Sequence, residues 1–389
     1  MIPGTFTFSS IEKIIYGQPA AQALLTEVER LKAKKVFLIV SGTMNRTTDE
    51  VLKITQLLGP LFSGLYDRMP SHTPREAVLE SSALARRAQT DLIVSFGGGS
   101  VTDAGKLMQI CLRHNIQTSE QLDQYRTRVE SDGKVTSPSF EGPLIRQIAI
   151  PTTLSGGEFQ AQGGCTDTQS KMKHSFRHPL IVPKITILDP LPTLHTPMWV
   201  WLSTGVRAID HATEGLCYPN DNPVSDAHFI KALNLLSQAL PQVFNDPKDM
   251  KARLDCQLGV MLAMKGREGG AQMGASHSIG HVLGGSFGVA HGFTSCVMLP
   301  AVLQFNRDVN HERQKKVAKA MGYPGQEAFA VVASLIAKLG LPKTLTEVGI
   351  NEDQFDMIAH KAMHGSWLHT NPKKINSPND VLKILRFAS

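Results

Sequence analysis

The stretch DLIVSFGGGSVTDAGK (91–106) places three consecutive glycines between an apolar run and an amphipathic segment. The apolar run predicts a buried strand, and the residues after the glycines predict a helix. Glycines at such a turn let backbone N–H groups approach an anion, and the helix N-terminus adds partial positive charge. The stretch therefore predicts a parallel α/β fold with a pyrophosphate site at Gly97, Gly98, Gly99 and Ser100. The alternative is a tight turn that needs glycine only for steric reasons.

Apolar runs and amphipathic stretches alternate throughout the chain before residue 190. The apolar runs predict buried strands of a parallel sheet, and the stretches between them have helical spacing. This alternation predicts βαβ architecture. The predicted strands are KKVFLIV (34–40), LIRQIAIPTT (144–153) and ITILDP (185–190), and the predicted helices are TTDEVLKITQLLGPLF (47–62) and PREAVLESSALARRAQT (74–90).

A second polar loop, PTTLSGGE (151–158), follows one of these predicted strands. Ligands of parallel sheets bind at the carboxyl ends of strands, so the hydroxyls and glycines of this loop favour contact with a nucleotide. Taken alone, Thr152, Thr153 and Ser155 are also typical turn and cap residues. Two such loops at neighbouring strand ends favour a dinucleotide, and we expect all three residues to bind it.

Helical patterns replace the strand signals after about residue 195. Phe229, Leu233, Leu236 and Leu240 recur at intervals that form one apolar helix face. Three prolines in DPLPTLHTP (189–197) interrupt both kinds of periodicity. We therefore expect an α/β dinucleotide-binding domain over 1–192 and an all-helical catalytic domain over 193–389. Within the first domain, the polar stretch 126–143 is predicted to be an exposed loop.

Composition narrows the class of protein. The chain has 389 residues and a net charge of +6 from dispersed residues, which does not favour nucleic-acid binding. Its five cysteines are widely spaced without a C-x-x-C pair, which favours free buried thiols in a reducing compartment. The N-terminus has no signal-peptide pattern, and no apolar run is long enough to cross a membrane. We expect a soluble, cytoplasmic protein.

Histidines dominate GASHSIGHVLGGSFGVAHG (274–292). His277 and His281 stand four residues apart and are expected on one helix face, and His291 follows a glycine-rich turn. With His211 on another predicted helix, these imidazoles could bind a divalent ion or carry a proton. A purely structural, hydrogen-bonded role is the alternative for each one taken alone.

Five separated motifs together resemble the iron-containing, group III alcohol dehydrogenase superfamily over nearly the whole chain. The resemblance implies an α/β dinucleotide-binding domain and an all-helical domain, as in dehydroquinate synthase, with nicotinamide and substrate in a cleft between them. Within the superfamily the chain is most similar to maleylacetate reductases, which reduce an unsaturated keto diacid without a bound metal. The motifs are GGGSVTDAGK (97–106), PTTLSGGE (151–158), LDP (188–190), GVRAIDHATEG (205–215) and HSIGHVLGGSFGVAHG (277–292).

The metal site of the family's alcohol dehydrogenases is altered in this sequence. Their D-A-x-x-H motif falls on Arg207 and His211, and the other two ligand positions fall on His277 and His291. A guanidinium cannot ligate, and its repulsion with a dication about 4 Å away is roughly 8 kcal/mol at an effective dielectric of ~20. Asp210 is expected roughly 100° around the helix from His211 and is poorly placed to replace the missing ligand. We therefore expect a remnant site of three histidines, with Fe or Zn occupancy disfavoured.

Two orientations of Arg207 are open at this point. It could turn to a surface carboxylate and leave three histidines holding a weaker ion. It could also clamp a substrate carboxylate and stabilise the alkoxide that forms during reduction. The resemblance implies that His281 lies near the nicotinamide and relays a proton, with His277 and His291 as its partners or as substrate contacts.

The resemblance also identifies cofactor contacts. An acidic residue of the family that binds the adenosine ribose falls on Gly42, followed by Thr43, so the sequence predicts NAD or NADP, with NADP favoured. Gly42 as a simple turn residue is the alternative. Asp103 belongs to the glycine-loop motif, and Lys173 aligns with a family lysine near the cofactor, with Lys171 as a possible substitute.

The sequence thus predicts an NAD(P)-dependent reductase of a maleylacetate-like keto acid that works without metal. A metal-dependent alcohol dehydrogenase acting on small alcohols or aldehydes is the nearest alternative, followed by a noncatalytic dinucleotide-binding protein. A lyase of the dehydroquinate synthase type is disfavoured because its acidic metal ligand is missing. Family resemblance implies a homo-oligomer, specifically a dimer.

Overall fold

The computed structural model describes residues 4–129, 135–170, 172–219, 222–365 and 367–389. Lys171, the alternative cofactor lysine, lies outside the described residues. The chain divides into two compact units, one spanning Ser9–Thr196 and the other joining the residues up to Phe8 with Pro197–Ser389. Among the described residues, no helix is long and apolar enough to span a membrane.

The described residues of the unit Ser9–Thr196 form ten strands and six α-helices. The strands are β1 (Lys13–Tyr16), β2 (Val36–Val40), β3 (Phe62–Tyr66), β4 (Leu92–Gly97), β5 (Arg128–Val129), β6 (Val135–Thr136), β7 (Arg146–Pro151), β8 (Gln162–Asp167), β9 (Met172–Arg177) and β10 (Ile185–Leu188). The helices are α1 (Ala20–Leu31), α2 (Gly42–Thr47), α3 (Glu50–Leu58), α4 (Arg75–Arg87), α5 (Gly99–Arg113) and α6 (Ser119–Asp123).

Six of these strands form a parallel sheet in the order β1-β10-β7-β4-β2-β3. Strand β2 shows why the central strands are continuously apolar. Val36 and Leu38 belong to the core shared with α1 and α3, and Phe37 and Ile39 belong to the core shared with α4 and α5. Helices therefore cover both sheet faces, and every residue of β2 is buried. The predicted parallel α/β fold is confirmed.

Several elements differ from the sequence predictions. The helix predicted over 47–62 ends at Leu58, because Gly59 has a φ of 51° and Pro60 follows it. After a 3-10 turn over Gly59–Leu61, Phe62–Tyr66 form β3, an edge strand in which buried and exposed residues do not alternate. The stretch 126–143, predicted to be a loop, contains the antiparallel pair β5–β6, and residues 130–134 within it lie outside the described residues. The hairpin β8–β9 is also absent from the sequence predictions.

The second unit is helical in its described residues. Its α-helices are α7 (Met198–Cys217), α8 (Pro223–Asn245), α9 (Met250–Gly266), α10 (Ala275–Phe287), α11 (His291–Ala320), α12 (Ala328–Lys338), α13 (Phe355–Ala362) and α14 (Pro378–Phe387). Helix α7 is buried over most of its surface and packs against α8, α9 and α11. All five cysteines are free and buried, as predicted.

Candidate active site

The glycine-rich loop joins the end of β4 to the start of α5. Gly98 is the N-cap of α5 and, as a glycine, offers no side chain to cap this helix. The next loop of the sheet lies alongside, because Thr152 donates its backbone N–H to the Gly97 carbonyl at 3.0 Å. Ser100 accepts a hydrogen bond from the backbone N–H of His72 at 3.1 Å. An uncapped helix N-terminus within a glycine turn is well suited to a pyrophosphate.

The two loops approach each other closely at Gly98 and Gly99. A Cβ on Gly98 would lie 3.2 Å from Thr153 Cγ2, and a Cβ on Gly99 would lie 3.1 Å from Ser155 Oγ. Both distances are shorter than ordinary carbon contacts, so side chains at these positions would push the loops apart. The glycines therefore have a packing reason as well as an anion-binding one. The cradle that results fits a dinucleotide phosphate.

The Lys106 side chain connects the loop after β7 to the first residue of β8. Its side chain is completely buried, and Nζ donates to the carbonyls of Gly157 at 2.6 Å and Gln162 at 2.7 Å. It also contacts Asp103 Oδ1 at 3.3 Å. Burial lowers the pKa of Lys106, and Asp103 opposes this effect. The sequence analysis placed Lys106 in the glycine-loop motif and assigned it no role.

Asp103 and Lys173 lie together, as expected of cofactor contacts. Asp103 Oδ2 accepts the backbone N–H of Gly164 at 3.1 Å. A Cβ on Gly164 would lie 3.0 Å from Lys173 Nζ and 3.3 Å from Asp103 Oδ2, so the glycine makes room for both side chains. Glu158 is buried beside Lys106, and burial raises its pKa from 4.5 to about 7. Asp103, Glu158, Lys106 and Lys173 therefore form a compact cluster of titratable side chains next to the two loops.

Gly42 is the first residue of α2, and Ser41 is the N-cap of this helix. A Cβ at this position would lie 2.3 Å from the Asp67 carbonyl oxygen. It would also lie 2.8 Å from Nη1 of Arg46, whose guanidinium folds over the glycine. Thr43 follows in the first turn of α2 and is exposed. Glycine is therefore required sterically, and an arginine covers the position where the family carries a carboxylate.

The four histidines form a buried pair and an exposed pair. His211 and His277 are buried, with ring centroids 4.5 Å apart. His281 and His291 are exposed, with centroids 6.3 Å apart. Trp367 connects the pairs, since its ring lies 6.0 Å from His277 and 4.8 Å from His281. No local motif marks Trp367, and the sequence analysis missed it.

Glu214 caps α10 and orients His277. Its Oε1 accepts the backbone N–H of Ser276 at 2.8 Å, and its Oε2 accepts the Gly274 N–H at 2.8 Å. The same Oε2 lies 2.8 Å from His277 Nδ1. Burial, reinforced by Arg207, lowers the pKa of His277 well below 6.5, so the ring is neutral. When Glu214 is ionised, a neutral ring facing it donates from Nδ1, which leaves Nε2 with its lone pair.

Arg207 points into a group of hydroxyls. Its Nη1 donates to Ser295 Oγ at 3.0 Å and to Thr294 Oγ1 at 3.4 Å. Ser295 in turn donates to Asp210 Oδ2 at 2.6 Å. The expectation that Arg207 could turn to a surface carboxylate is therefore wrong. Burial lowers the pKa of Arg207, and the neighbouring Asp210 opposes that shift.

Asp210 belongs to the same cluster, although it lies about 100° around α7 from His211. It is completely buried, receives the Ser276 hydroxyl at 2.8 Å, and its Oδ2 lies 3.5 Å from His277 Nδ1. The physical reason is that α7 has neighbours on several sides, so a residue 100° away from His211 still faces the protein interior. Burial raises the pKa of Asp210, and Arg207 opposes the increase.

The donor set does not fit the four-ligand metal site of the family. Arg207 stands at one ligand position and has no lone pair. Elsewhere among the described residues, potential ligand atoms of Asp210, Glu214 and His277 lie within 4.8 Å of one another. Both Glu214 oxygens and Asp210 Oδ2 already accept hydrogen bonds, so a cation there would compete with protein donors for these oxygens.

Comparison with known proteins identifies relatives over the full chain. The iron-containing alcohol dehydrogenase model matches residues 12–190, and the C-terminal model of the Fe-containing alcohol dehydrogenase family matches 201–389. The chain is 34% identical over 409 residues to Dehydrogenase FUM7 of Gibberella moniliformis, covering 97% of this chain and 96% of the relative. It is 29% identical to 4-hydroxybutyrate dehydrogenase of Cupriavidus necator, covering 92% and 93%.

A maleylacetate reductase from Rhizobium sp. strain MTP-10005 is similar in sequence and in structure. The sequences are 28% identical, covering 90% of this chain and 88% of the relative. Its crystal structure superimposes with a TM-score of 0.83 and 26% identity, covering 100% of this chain and 98% of that one. The resemblance stated from the motifs, including its maleylacetate reductase-like branch, is confirmed. The chain therefore belongs to the iron-containing alcohol dehydrogenase family and is an NAD(P)-dependent oxidoreductase.

Proposed function

We propose that this enzyme reduces the carbonyl group of a small keto or aldehyde acid with NADPH or NADH, and that it works without a metal. The observation that carries the proposal is the Arg207 guanidinium, held by two hydroxyls beside the buried histidine pair. A guanidinium pairs with a carboxylate through two parallel hydrogen bonds. Two relatives, the maleylacetate reductase and the 4-hydroxybutyrate dehydrogenase, are named for carboxylate-bearing substrates.

The bound nicotinamide would supply or accept the hydride. Arg207 would orient the acid and supply the positive charge that favours alkoxide formation at the carbonyl oxygen. His281 is the proposed proton carrier because it is exposed and can exchange protons with solvent, whereas His277 is neutral and donates its only N–H to Glu214. His211, His277 and His291 would line the substrate site.

Arg46 supports NADPH as the preferred cofactor. Its guanidinium folds over Gly42, where no carboxylate is present to repel a 2′-phosphate. Asp67, whose backbone carbonyl lies against Gly42, accepts a hydrogen bond from Asn45 on its carboxylate at 2.9 Å. An arginine near the ribose is a common way to accommodate the 2′-phosphate.

A metal-dependent alcohol dehydrogenase is the second candidate function. Asp210 Oδ1, His211 Nδ1 and His277 Nε2 are buried and lack a hydrogen-bond partner among the described residues. Asp210 and His277 also belong, with Glu214, to the group whose potential ligand atoms lie within 4.8 Å of one another. The Arg207 charge in the same cluster opposes the binding of a cation, so we favour the metal-free enzyme.

The test is a panel of keto acids and aldehydes, each assayed with NADH and NADPH and with and without a chelator. Activity on acids that survives chelation, in protein without bound Fe or Zn, is the expected result. Arg207→Ala should lower kcat/KM on acids by about 100-fold and leave neutral aldehydes nearly unchanged. Equal losses on both substrate classes would exclude the carboxylate clamp, and loss of activity with the chelator would favour the second candidate.

We further propose that residues 1–192 bind the dinucleotide and that 193–389 carry the catalytic residues, in a cytoplasmic homodimer. Family resemblance and the separate positions of the glycine cradle and the histidine cluster in the chain support this assignment. Light scattering of the purified protein would test the dimer.

A further inference from the structure

We propose that Ser295 is a positioning residue that orients Arg207 and thereby sets the preference of the enzyme for acid substrates. This inference rests on the carboxylate clamp proposed above. It extends that proposal to a residue that belongs to none of the motifs used to identify the clamp.

The direction of each hydrogen bond around Ser295 is determined by its chemistry. The hydroxyl has one proton, and its 2.6 Å contact with Asp210 Oδ2 uses that proton because the carboxylate is an acceptor. Its lone pairs therefore remain to accept Arg207 Nη1 at 3.0 Å. Ser276 donates to the same Asp210 oxygen at 2.8 Å and helps to hold the carboxylate in place. Asp210 orients the hydroxyl, and the hydroxyl orients the guanidinium.

Packing around Nη1 also restricts the position of the Arg207 guanidinium. Thr294 donates its hydroxyl to the His291 carbonyl at 2.8 Å, so its oxygen can only accept from Arg207 at 3.4 Å. A Cβ on Gly280 would lie 3.0 Å from Thr294 Oγ1 and 3.6 Å from Arg207 Nη1. A glycine at this position of α10 therefore leaves the space that the arginine and threonine share.

These contacts leave one edge of Arg207 for a ligand. Within the described residues, the hydrogen bonds of the guanidinium both use Nη1, and the side chain is partly exposed. The edge formed by Nη2 and Nε is the one with the geometry for two parallel bonds to a carboxylate. Fixing Nη1 in advance reduces the side-chain freedom that would otherwise be lost when an acid binds.

The experiment compares succinic semialdehyde with butanal, two four-carbon aldehydes that differ by one carboxylate. In Ser295→Ala, KM for succinic semialdehyde should rise about tenfold, while kcat/KM for butanal stays within about twofold of wild type. Ser278→Ala is the matched control. It removes another buried serine hydroxyl, which packs near Gly365 and lies outside the Arg207 network, and it should change neither substrate selectively.

Arg207→Ala in the same assay separates the two proposals. If Arg207→Ala loses acid selectivity and Ser295→Ala keeps it, the positioning role of Ser295 is overturned and the clamp stands. If neither variant loses acid selectivity, both proposals are overturned. If Ser295→Ala impairs both aldehydes equally, Ser295 is only structural. An acid-selective loss in both variants that is not additive in the double variant supports the inference.

Discussion

Replacing Glu214 with glutamine would test how the buried histidine is set in one tautomer. Glu214 offers two acceptor oxygens to three donors, the backbone N–H groups of Gly274 and Ser276 and the Nδ1–H of His277. Glutamine keeps one of these oxygens and replaces the other by a donor. The substitution changes almost no volume, so its effect isolates the hydrogen-bond pattern.

The expected loss in the free energy of unfolding follows from these hydrogen bonds. If the amide oxygen keeps the Ser276 N–H, the amide NH₂ faces the Gly274 N–H, and one buried donor left unpaired costs about 1–3 kcal/mol. Burial and, after it, repulsion from Asp210 raise the pKa of Glu214 from 4.5 to about 8, so the two proteins are compared at about pH 9, where the carboxyl is ionised. Loss of that repulsion offsets part of the cost. We expect a net loss of about 1 kcal/mol in the free energy of unfolding. His277 should change tautomer, since its Nδ1 now meets a donor.

Long-range 1H–15N correlation spectra of histidine-labelled protein would report the tautomer directly, and urea unfolding would report stability. His211 serves as an internal reference because no hydrogen bond joins it to Glu214 among the described residues, and its signals should keep their pattern. Retention of the Nδ1–H tautomer of His277 in Glu214→Gln would refute the assignment of Glu214 as the orienting group.

Three further predictions concern other parts of the molecule. The folded-state pKa of Glu158 is raised from 4.5 to about 7, so its contribution to stability falls as pH rises through this interval. Glu158→Gln should remove about 3 kcal/mol of that pH dependence, and parallel pH–stability curves for the two proteins would contradict the prediction. Arg46→Ala should lower kcat/KM about tenfold with NADPH and little with NADH, whereas equal decreases would rule out 2′-phosphate recognition. Gly215→Ala should destabilise the protein by about 1–3 kcal/mol in thermal unfolding, because its Cβ would lie 2.3 Å from Phe229 Cζ; an unchanged melting temperature would contradict that packing.

Local sequence patterns were sufficient to predict the parallel sheet and the glycine-rich loop of the cofactor cradle. The run from Leu92 to Gly97 is apolar because both faces of the strand are covered, and the glycines that follow mark the turn into α5. The apolar run and the glycines each lie within a few consecutive residues, so both can be recognised from the sequence alone. The edge strand β3 lacks such a signal, since none of its first four residues is fully buried.

Long-range contacts explain what the sequence did not reveal in the helical unit. Glu214 is 60 residues from Gly274, and Asp210 is 85 residues from Ser295, yet each pair is hydrogen-bonded. No spacing rule connects such positions. The angle of about 100° between Asp210 and His211 follows from α7 alone, whereas the hydrogen bonds of Asp210 depend on the helices packed around α7.

Arg207 departs from the family's metal motif, and Asp210 balances its charge. A partly buried guanidinium without a nearby anion would be costly, and Asp210 supplies that anion on the same helix. The connection runs through Ser295, with distances of 3.0 Å and 2.6 Å, rather than through a direct bidentate pair. A direct pair would occupy two guanidinium donors and compete with a substrate carboxylate for them. The link through Ser295 lets Asp210 balance the Arg207 charge without occupying the outer edge of the guanidinium, which is the edge that the proposed carboxylate clamp requires.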